Sequence, residues 1–227
     1  MSAQKSSSSR TKKRLLILDD HPMMREGLAQ LINNEPDLTV CAEAGTGQQA
    51  IELASKSKPD LLLADISLPD KNGLEVIKQL HELQSGLSVL VISMHDESLY
   101  AERAIRAGAR GYIMKQEGGK KLMEAIRAVL AGKIYVSENI SAKMLEALSG
   151  GGRDANRSAL QNLSDREFEV LELLGSGKGT SEIAQQLHLS TKTVEAHRAN
   201  IKRKLDLKTG PELVRYAVRW VETQKLT

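Results

Sequence analysis

The chain has 227 residues, 41% hydrophobic and 27% charged, with 32 Lys and Arg against 29 Asp and Glu for a net charge of +3. At a nominal ~150 residues per domain this length suits two unequal domains, and the composition is that of ordinary globular protein. No apolar run approaches the ~18 residues of a membrane span, the charged stretch Met1–Arg10 lacks a signal peptide's apolar core, and a single cysteine, Cys41, excludes an intrachain disulfide or a cysteine-clustered zinc site, so a cytoplasmic protein with no membrane partner is expected.

Charge divides the chain. Residues 1–14 hold five basic and no acidic groups, residues 15–150 hold 14 basic and 19 acidic, and residues 151–227 hold 13 and 10. Between the last two blocks lies Ser149-Gly150-Gly151-Gly152-Arg153-Asp154-Ala155-Asn156-Arg157-Ser158, whose adjacent glycines and scarcity of apolar side chains predict a flexible linker. The expected organisation is a disordered basic tail (1–13), a first domain (14–133), a connection that starts helical and turns flexible (134–162), and a second domain (163–227).

Short aliphatic runs at 15–19, 38–42, 60–65, 88–93 and 111–114 alternate with segments of helical spacing, such as Ala50, Ile51, Leu53, Ala54 and Leu74, Ile77, Leu80. Nearly continuous apolar runs mark strands covered on both faces of a parallel sheet. Five strands, each followed by a helix, predict a doubly wound α/β domain of the flavodoxin-like kind, a five-stranded parallel sheet. In such folds ligands sit outside the carboxyl ends of the strands, where the strand order reverses.

Those ends carry reactive groups. The first predicted strand ends in Asp19-Asp20, the third in Asp65, the fourth in Ser93, and the fifth runs to Lys115. Two carboxylates ~4 Å apart repel by about 4 kcal/mol at an effective dielectric of 20, so the cluster needs a proton or a hard cation. Oxygen donors without His or Cys among them select Mg²⁺. A cation, a lysine and a hydroxyl around one carboxylate suit an incoming phosphoryl group attacked in line. Asp60 and Asp70 read as strand-start and loop carboxylates, and Pro69 and Gly73 as shapers of the loop after Asp65. His21 and His95, with no partner at metal-ligand spacing, read as local hydrogen-bonding groups beside the site.

Asp19-Asp20, Asp65-x-x-x-Pro69-x-x-x-Gly73, Ser93 and Tyr112-x-x-Lys115 together resemble the receiver domain of bacterial two-component response regulators, over residues 14–131. The resemblance implies that Asp65 accepts a phosphoryl group from a sensor histidine kinase. It implies Mg²⁺ bound by Asp20, Asp65 and the carbonyl of Ser67, with Asp19 helping through water. Lys115 would pair with the phosphoryl oxygens, Ser93 would donate its hydroxyl, and Tyr112 would rotate inward or serve only as packing. Ser93 in place of the commoner Thr keeps the hydroxyl, and Gln116 in place of the usual Pro leaves no reason to assume a cis peptide there. Asp19-Asp20-His21-Pro22 and Ser93-Met94-His95-Asp96 look like the NarL/FixJ branch.

Residues 163–222 predict a smaller all-α domain of four helices. Ser164-Asp165-Arg166-Glu167 is a capping box ahead of Phe168, Leu171 and Leu174; Thr180 and then Ser190-Thr191 are read as caps of the next two helices; Thr209-Gly210-Pro211-Glu212 opens the last. Two short helices joined by a tight turn, the second basic, make a helix-turn-helix pattern. On a helical wheel Val194, Ile201 and Leu205 form the buried stripe, and Lys192, Ala196, Ala199 and Arg203 fall about 140–200° away. Residues 190–208 hold six basic and two acidic groups, which fits a phosphate-facing surface.

The block from Leu163 to Leu205 resembles the LuxR-type DNA-binding domain. Lys192, Arg198, Lys202, Lys204 and Lys208 would contact phosphates, with His197 on the flank, and Glu195, Ala196 and Ala199 would face base edges. Glu195 could accept from a cytosine amino group, or merely pair with Lys192 or Lys202. Arg198, near the buried edge, could instead bridge to Glu167. Val214, Ala217, Val218 and Val221 suit either a dimer contact or the domain core.

Phosphorylation takes Asp65 from −1 toward about −2, and the expected remodelling of the fourth helix, fifth strand and fifth helix would free or pair the basic domain. The expectation is a phosphorylation-controlled transcription factor, a homodimer on two related half-sites of double-stranded DNA. Two alternatives are a hydrolase with Asp65 as transient nucleophile, and a regulator whose first domain only docks proteins.

Overall fold

The runs 61–64 and 15–18 contain nothing but aliphatic side chains, and a strand of that kind is stable only when covered on both faces. The computed structural model describes residues 11–148, 160 and 162–225. In it β1 (Lys13–Leu18), β2 (Leu38–Ala44), β3 (Leu61–Ala64), β4 (Ser88–Ser93) and β5 (Gly111–Met114) form one parallel sheet in the order β2-β1-β3-β4-β5. Helices α1 (Pro22–Asn33), α2 (Gly47–Ser57), α3 (Gly73–Leu83), α4 (Glu97–Arg106) and α5 (Gly119–Leu130) follow the strands in turn. Alternate residues of β1 part between two cores: Leu15 and Ile17 join Leu28, Ile32, Ile126 and Val129, while Leu16 and Leu18 join Ala50, Ala54, Leu74 and Ile77. Each of these β1 side chains is 0% exposed, and burying one contributes on the order of 1.5–3 kcal/mol.

The strand order reverses between β1 and β3, and the register there positions the site. Leu18 pairs with Ala64, so Asp19 and Asp65 leave the sheet side by side. Ser93 pairs with Met114, which puts Lys115 one residue beyond the hydroxyl. β1 starts two residues before its apolar run because Asp60 anchors it, accepting from Lys13 Nζ and from the Arg14 amide, each at 2.8 Å. Asp70 accepts from the amides of Gly47 and Gln48 at 2.9 and 3.0 Å, at the start of α2. After α5, Tyr135 bridges to Gly111 beside the edge strand β5, and α6 (Glu138–Leu148) packs on α4. The predicted tail through residue 10 and the glycine linker at 149–158 lie outside the described residues.

The second domain consists of α7 (Asp165–Gly175), α8 (Thr180–Gln186), α9 (Thr191–Lys204) and α10 (Gly210–Lys225). Ser164 and Glu167 form the capping box at α7, and Ser190 caps α9 by accepting from the Thr193 amide. Thr180 is not a cap: Gly179 precedes α8, the Glu182 carboxylate accepts its amide at 2.7 Å, and the Thr180 hydroxyl is left for another partner. The turn between α8 and α9 passes through His188 at φ 53°. At Gly175 a Cβ would stand 2.5 Å from the Ala217 carbonyl oxygen, so only glycine lets α7 and α10 approach this closely.

Candidate functional site

At the carboxyl ends of β1, β3 and β5, Lys115 Nζ stands 2.6 Å from Asp19 Oδ2 and 2.7 Å from Asp65 Oδ2. Asp19 is fully buried and Asp65 nearly so. Burial pushes the Asp65 carboxyl upward, the Lys115 charge opposes this, and Asp19 adds to the rise. Burial would lower Lys115, but the attraction of Asp65 and the hydrogen bonds to Asp19 and Asp65 carry it above the ordinary lysine range. A lysine so held stays cationic beside the two carboxylates. The second Asp65 oxygen, Oδ1, accepts from the amides of Ile66 and Ser67 at 2.7 and 3.3 Å.

One ligand atom from each of Asp19, Asp20, His21 and Asp65 lies within 4.8 Å of all the others. Asp19 Oδ2 and Asp20 Oδ1 are buried, and beyond the ion-pair contacts with Lys115 and His21 neither oxygen has a further partner among the described residues. Lone pairs left open beside three carboxylates fit a hard divalent cation, so the pocket is compatible with Mg²⁺. His21, read from the sequence as a local hydrogen-bonding group beside the site, joins the cluster: its Nδ1 lies 2.6 Å from Asp20 Oδ1 and 3.3 Å from Asp19 Oδ1. Its position directly after Asp19-Asp20 was the signal available.

Gly73 explains the spacing of the loop after Asp65. A Cβ there would sit 2.2 Å from the Asp65 carbonyl oxygen and 2.7 Å from Ile66 Cα. Asn72 caps α3 through a 2.7 Å bond from the Leu74 amide, so the helix starts against the backbone of Asp65. Ser93 is buried, with its Oγ accepting from the His95 amide at 3.2 Å. Tyr112 already lies inside, 1% exposed, its hydroxyl donating to the His95 carbonyl at 2.8 Å, so no inward rotation remains to be made. His95 Nε2 lies 2.9 Å from Ser67 Oγ. No peptide bond among the described residues, including the one after Lys115, is cis.

The second domain roofs this pocket, an arrangement the sequence left open. A cleft of about 320 Å³ is lined by Asp20, His21, Ser67 and His95 on one side and by Arg166, Glu169, Glu172 and His188 on the other. Tyr100 of α4 donates to Glu172 Oε2 at 2.5 Å, and His95 Nδ1 is 3.6 Å from the same oxygen. Arg103 reaches the Leu160 and Leu163 carbonyls and Asp165 Oδ1 at 2.6, 3.2 and 3.1 Å, with its guanidinium 3.8 Å above the Phe168 ring. Lys78 of α3 pairs with Asp165 Oδ2 at 2.6 Å. The rings of His95, Tyr100, Phe168 and Trp220 make a continuous ladder from the pocket rim into the second domain.

On α9 the wheel is reproduced: Val194 and Ile201 are fully buried, and Lys192, Glu195, Ala196, Ala199, Arg203 and, beyond the helix, Lys208 are exposed. Lys202 and His197 are half-buried, and burial holds the His197 imidazole below its usual range. Lys204, assigned to a phosphate, is 2.7 Å from Glu167 Oε2 in this structure, and the alternative bridge from Glu167 to Arg198 is not formed. Arg198 instead pairs at 2.8 Å with Glu195, which contacts neither Lys192 nor Lys202. Both outcomes follow from reach: one turn of helix separates Arg198 from Glu195, while Lys204 lies across from the α7 cap.

Comparison with known proteins agrees with both halves. Residues 15–127 match the response regulator receiver domain, and residues 161–217 match the luxR family of bacterial regulatory proteins. The oxygen regulatory protein NreC of Staphylococcus carnosus is 35% identical over 91% of this chain and 97% of its own, and that of Staphylococcus aureus is 38% identical over the same shares. Among solved structures, RcsB of Salmonella enterica serovar Typhimurium bound to promoter rprA with the phosphomimetic BeF3- is similar at TM-score 0.60, 26% identity, over 92% of this chain and 99% of that one. A LuxR-family two-component response regulator from Aurantimonas is 33% identical at TM-score 0.56, over 61% of this chain and 99% of that one. Matched by both families in order and by relatives over nearly their full length, the chain belongs to the NarL/FixJ-type two-component response regulators, transcriptional regulators that join a receiver to a LuxR-type helix-turn-helix.

Proposed function

We propose that Asp65 is the phosphoacceptor and that its phosphorylation releases the DNA-binding domain from the receiver. One observation carries the reading: the Lys115-bridged Asp19–Asp65 pair lies beneath a roof made by the DNA-binding domain. An Asp65 oxygen attacks the phosphorus of a sensor-kinase phosphohistidine, the O–P bond forms, and the P–N bond breaks with the electrons leaving on the imidazole. Asp20, Asp65 and the Ser67 carbonyl, with Asp19 through water, would hold Mg²⁺, which supplies charge neutralisation at the phosphoryl oxygens when bound. Lys115 gives up its pairing with Asp65 for the phosphoryl group. Ser93, whose oxygen now accepts from the His95 amide, turns its O–H toward it.

The added charge arises beside Glu169 and Glu172 of the roof, and the repulsion favours opening. Domain closure leaves the outward stripe of α9 exposed, so the restraint falls on how the receiver sits against DNA and against a second copy. Lys192, Lys202 and Lys208 then meet phosphates, with Ala196 and Ala199 close to base edges. RcsB, solved as two dimers on two parallel DNAs, supports a dimer on two half-sites. No helix among the described residues is long and apolar enough to cross a membrane, in keeping with a cytoplasmic regulator. The attached reader counts against a hydrolase, and the intact acidic pocket against a receiver that only docks proteins.

Intact-mass measurement after acetyl phosphate and Mg²⁺ tests the assignment. Wild type is expected to gain one phosphoryl group and Asp65→Asn none; an adduct retained by Asp65→Asn would place the nucleophile elsewhere. Promoter binding that does not change between the treated and untreated wild type would refute the coupling.

A further inference from the structure

Residues 191–204, the DNA-facing helix α9, contain one acidic side chain, Glu195, among one histidine and five lysines and arginines. A carboxylate on a surface that approaches phosphates weakens binding to every sequence alike, unless it also makes a contact that only some sequences allow. Glu195 is held with unusual definition for an exposed acid. Its Oε1 accepts from Arg198 Nη1 at 2.8 Å and from Thr180 Oγ1 at 2.7 Å, and Arg198 Nη1 also reaches Thr180 Oγ1 at 2.5 Å. Thr180 is the first residue of α8, so the clamp ties the two helices of the reader together. Arg198 is 21% exposed and Glu195 57% exposed, which puts the anchor inside and the acid outside. Oε2 has no donor among the described residues.

An ionised carboxylate only accepts hydrogen bonds. In the major groove an acceptor matches the cytosine N4 amino group and is repelled by thymine O4 and guanine O6. We propose that Glu195 selects a cytosine in each half-site, and that Thr180 and Arg198 are positioning residues that hold its carboxylate in one orientation before DNA arrives. A side chain fixed in advance has less freedom to lose on binding, so its discrimination between bases is sharper. The bland alternative is that Arg198 merely neutralises Glu195. This inference rests on the proposed DNA-binding function, and it adds the base that is read and the residues that make the reading possible.

The test uses the full chain with beryllofluoride and Mg²⁺, selecting from a pool of random duplexes, followed by competition with duplexes altered at one base pair. Wild type is expected to select a cytosine and to prefer it over thymine by about tenfold or more. Glu195→Gln is expected to move that preference toward adenine, whose N6 and N7 match an amide, and to raise non-specific affinity. Thr180→Val is expected to cut cytosine discrimination severalfold at an unchanged salt slope, and Thr180→Ser, which keeps the hydroxyl, to restore it. Wild-type base preference in both Glu195→Gln and Thr180→Val overturns the inference, as does a wild type that binds duplexes but selects no cytosine. A wild type that binds no duplex at all overturns the DNA-binding reading itself, a distinguishable failure.

Discussion

At the scale of single residues the receiver site is decided by contacts of a few tenths of an ångström. Gly73 is the clearest case, because the helix that follows Asp65 starts against the Asp65 carbonyl oxygen. Gly73→Ala forces α3 away from the sheet, and overpacking of this kind costs ~1–3 kcal/mol. The expected result is a lower urea midpoint together with slower labelling by acetyl phosphate; an unchanged labelling rate would mean that the loop absorbs the methyl without moving Asp65. Lys115 acts at the same scale. It draws Asp19 and Asp65 together, and under the proposed mechanism its charge passes to the phosphoryl group, so its charge matters more than its packing. Sequence reading found both residues because each lies at a fixed offset from a strand end. It placed His21 beside the site as a hydrogen-bonding group, but adjacency along the chain does not reveal that its ring turns to Asp20.

Helix ends decide the next scale. Glu167 closes the α7 capping box by accepting from the Ser164 amide at 2.8 Å, and also receives Lys204 of α9 at 2.7 Å. Burial opposes its charge, but Lys204 and the Ser164 amide outweigh that and hold the carboxyl below the usual glutamate range. A folded-state pKa lowered in this way stabilises the domain above the unfolded glutamate pKa of about 4.3, and the stabilisation is lost as pH falls through the folded value. Glu167→Gln keeps the cap's shape without the charge. Its urea midpoint is expected to fall below wild type at pH 7 and to converge with it as pH falls through the lowered folded value; parallel curves across that range would show that the ion pair contributes nothing. Periodicity alone located this helix and its cap. It placed Lys204 on the flank facing DNA without seeing the Glu167 carboxylate opposite, because a wheel shows the angle of a side chain and not what stands across from it.

For the whole molecule, the closed arrangement hangs on Arg103. Its guanidinium binds two carbonyls and Asp165 while lying over Phe168, and at 14% side-chain exposure little of it is screened by water. Burial would lower its pKa and Asp165 opposes that. Removing Arg103 leaves the buried Asp165 carboxylate with Lys78 as its remaining ion-pair partner, so the loss is expected to fall below the ~3–5 kcal/mol of a fully enclosed pair that loses one member. Arg103→Ala is therefore expected to open the molecule without phosphorylation. A larger radius of gyration in solution scattering and a promoter affinity near that of phosphorylated wild type would be the signs, and a compact variant that still needs phosphorylation would show that closure lies elsewhere.

The residues of 14–131 and 163–222 determined by themselves the strands, their parallel order of use, the acidic cluster at the strand ends and the outward stripe of α9. Those features depend on local spacing and on burial by neighbours close in the chain, which a side-chain pattern records directly. Only the tertiary structure decided that the reader roofs the acidic pocket, that Tyr112 is already inside, and that Glu195 is clamped by Thr180 and Arg198. Each of these joins surfaces whose side chains are individually ordinary: Tyr100, Arg103 and Lys78 read as unremarkable helix residues until Glu172 and Asp165 are brought opposite them. Such pairings are long-range matches of charge and shape, and no period along the chain encodes them.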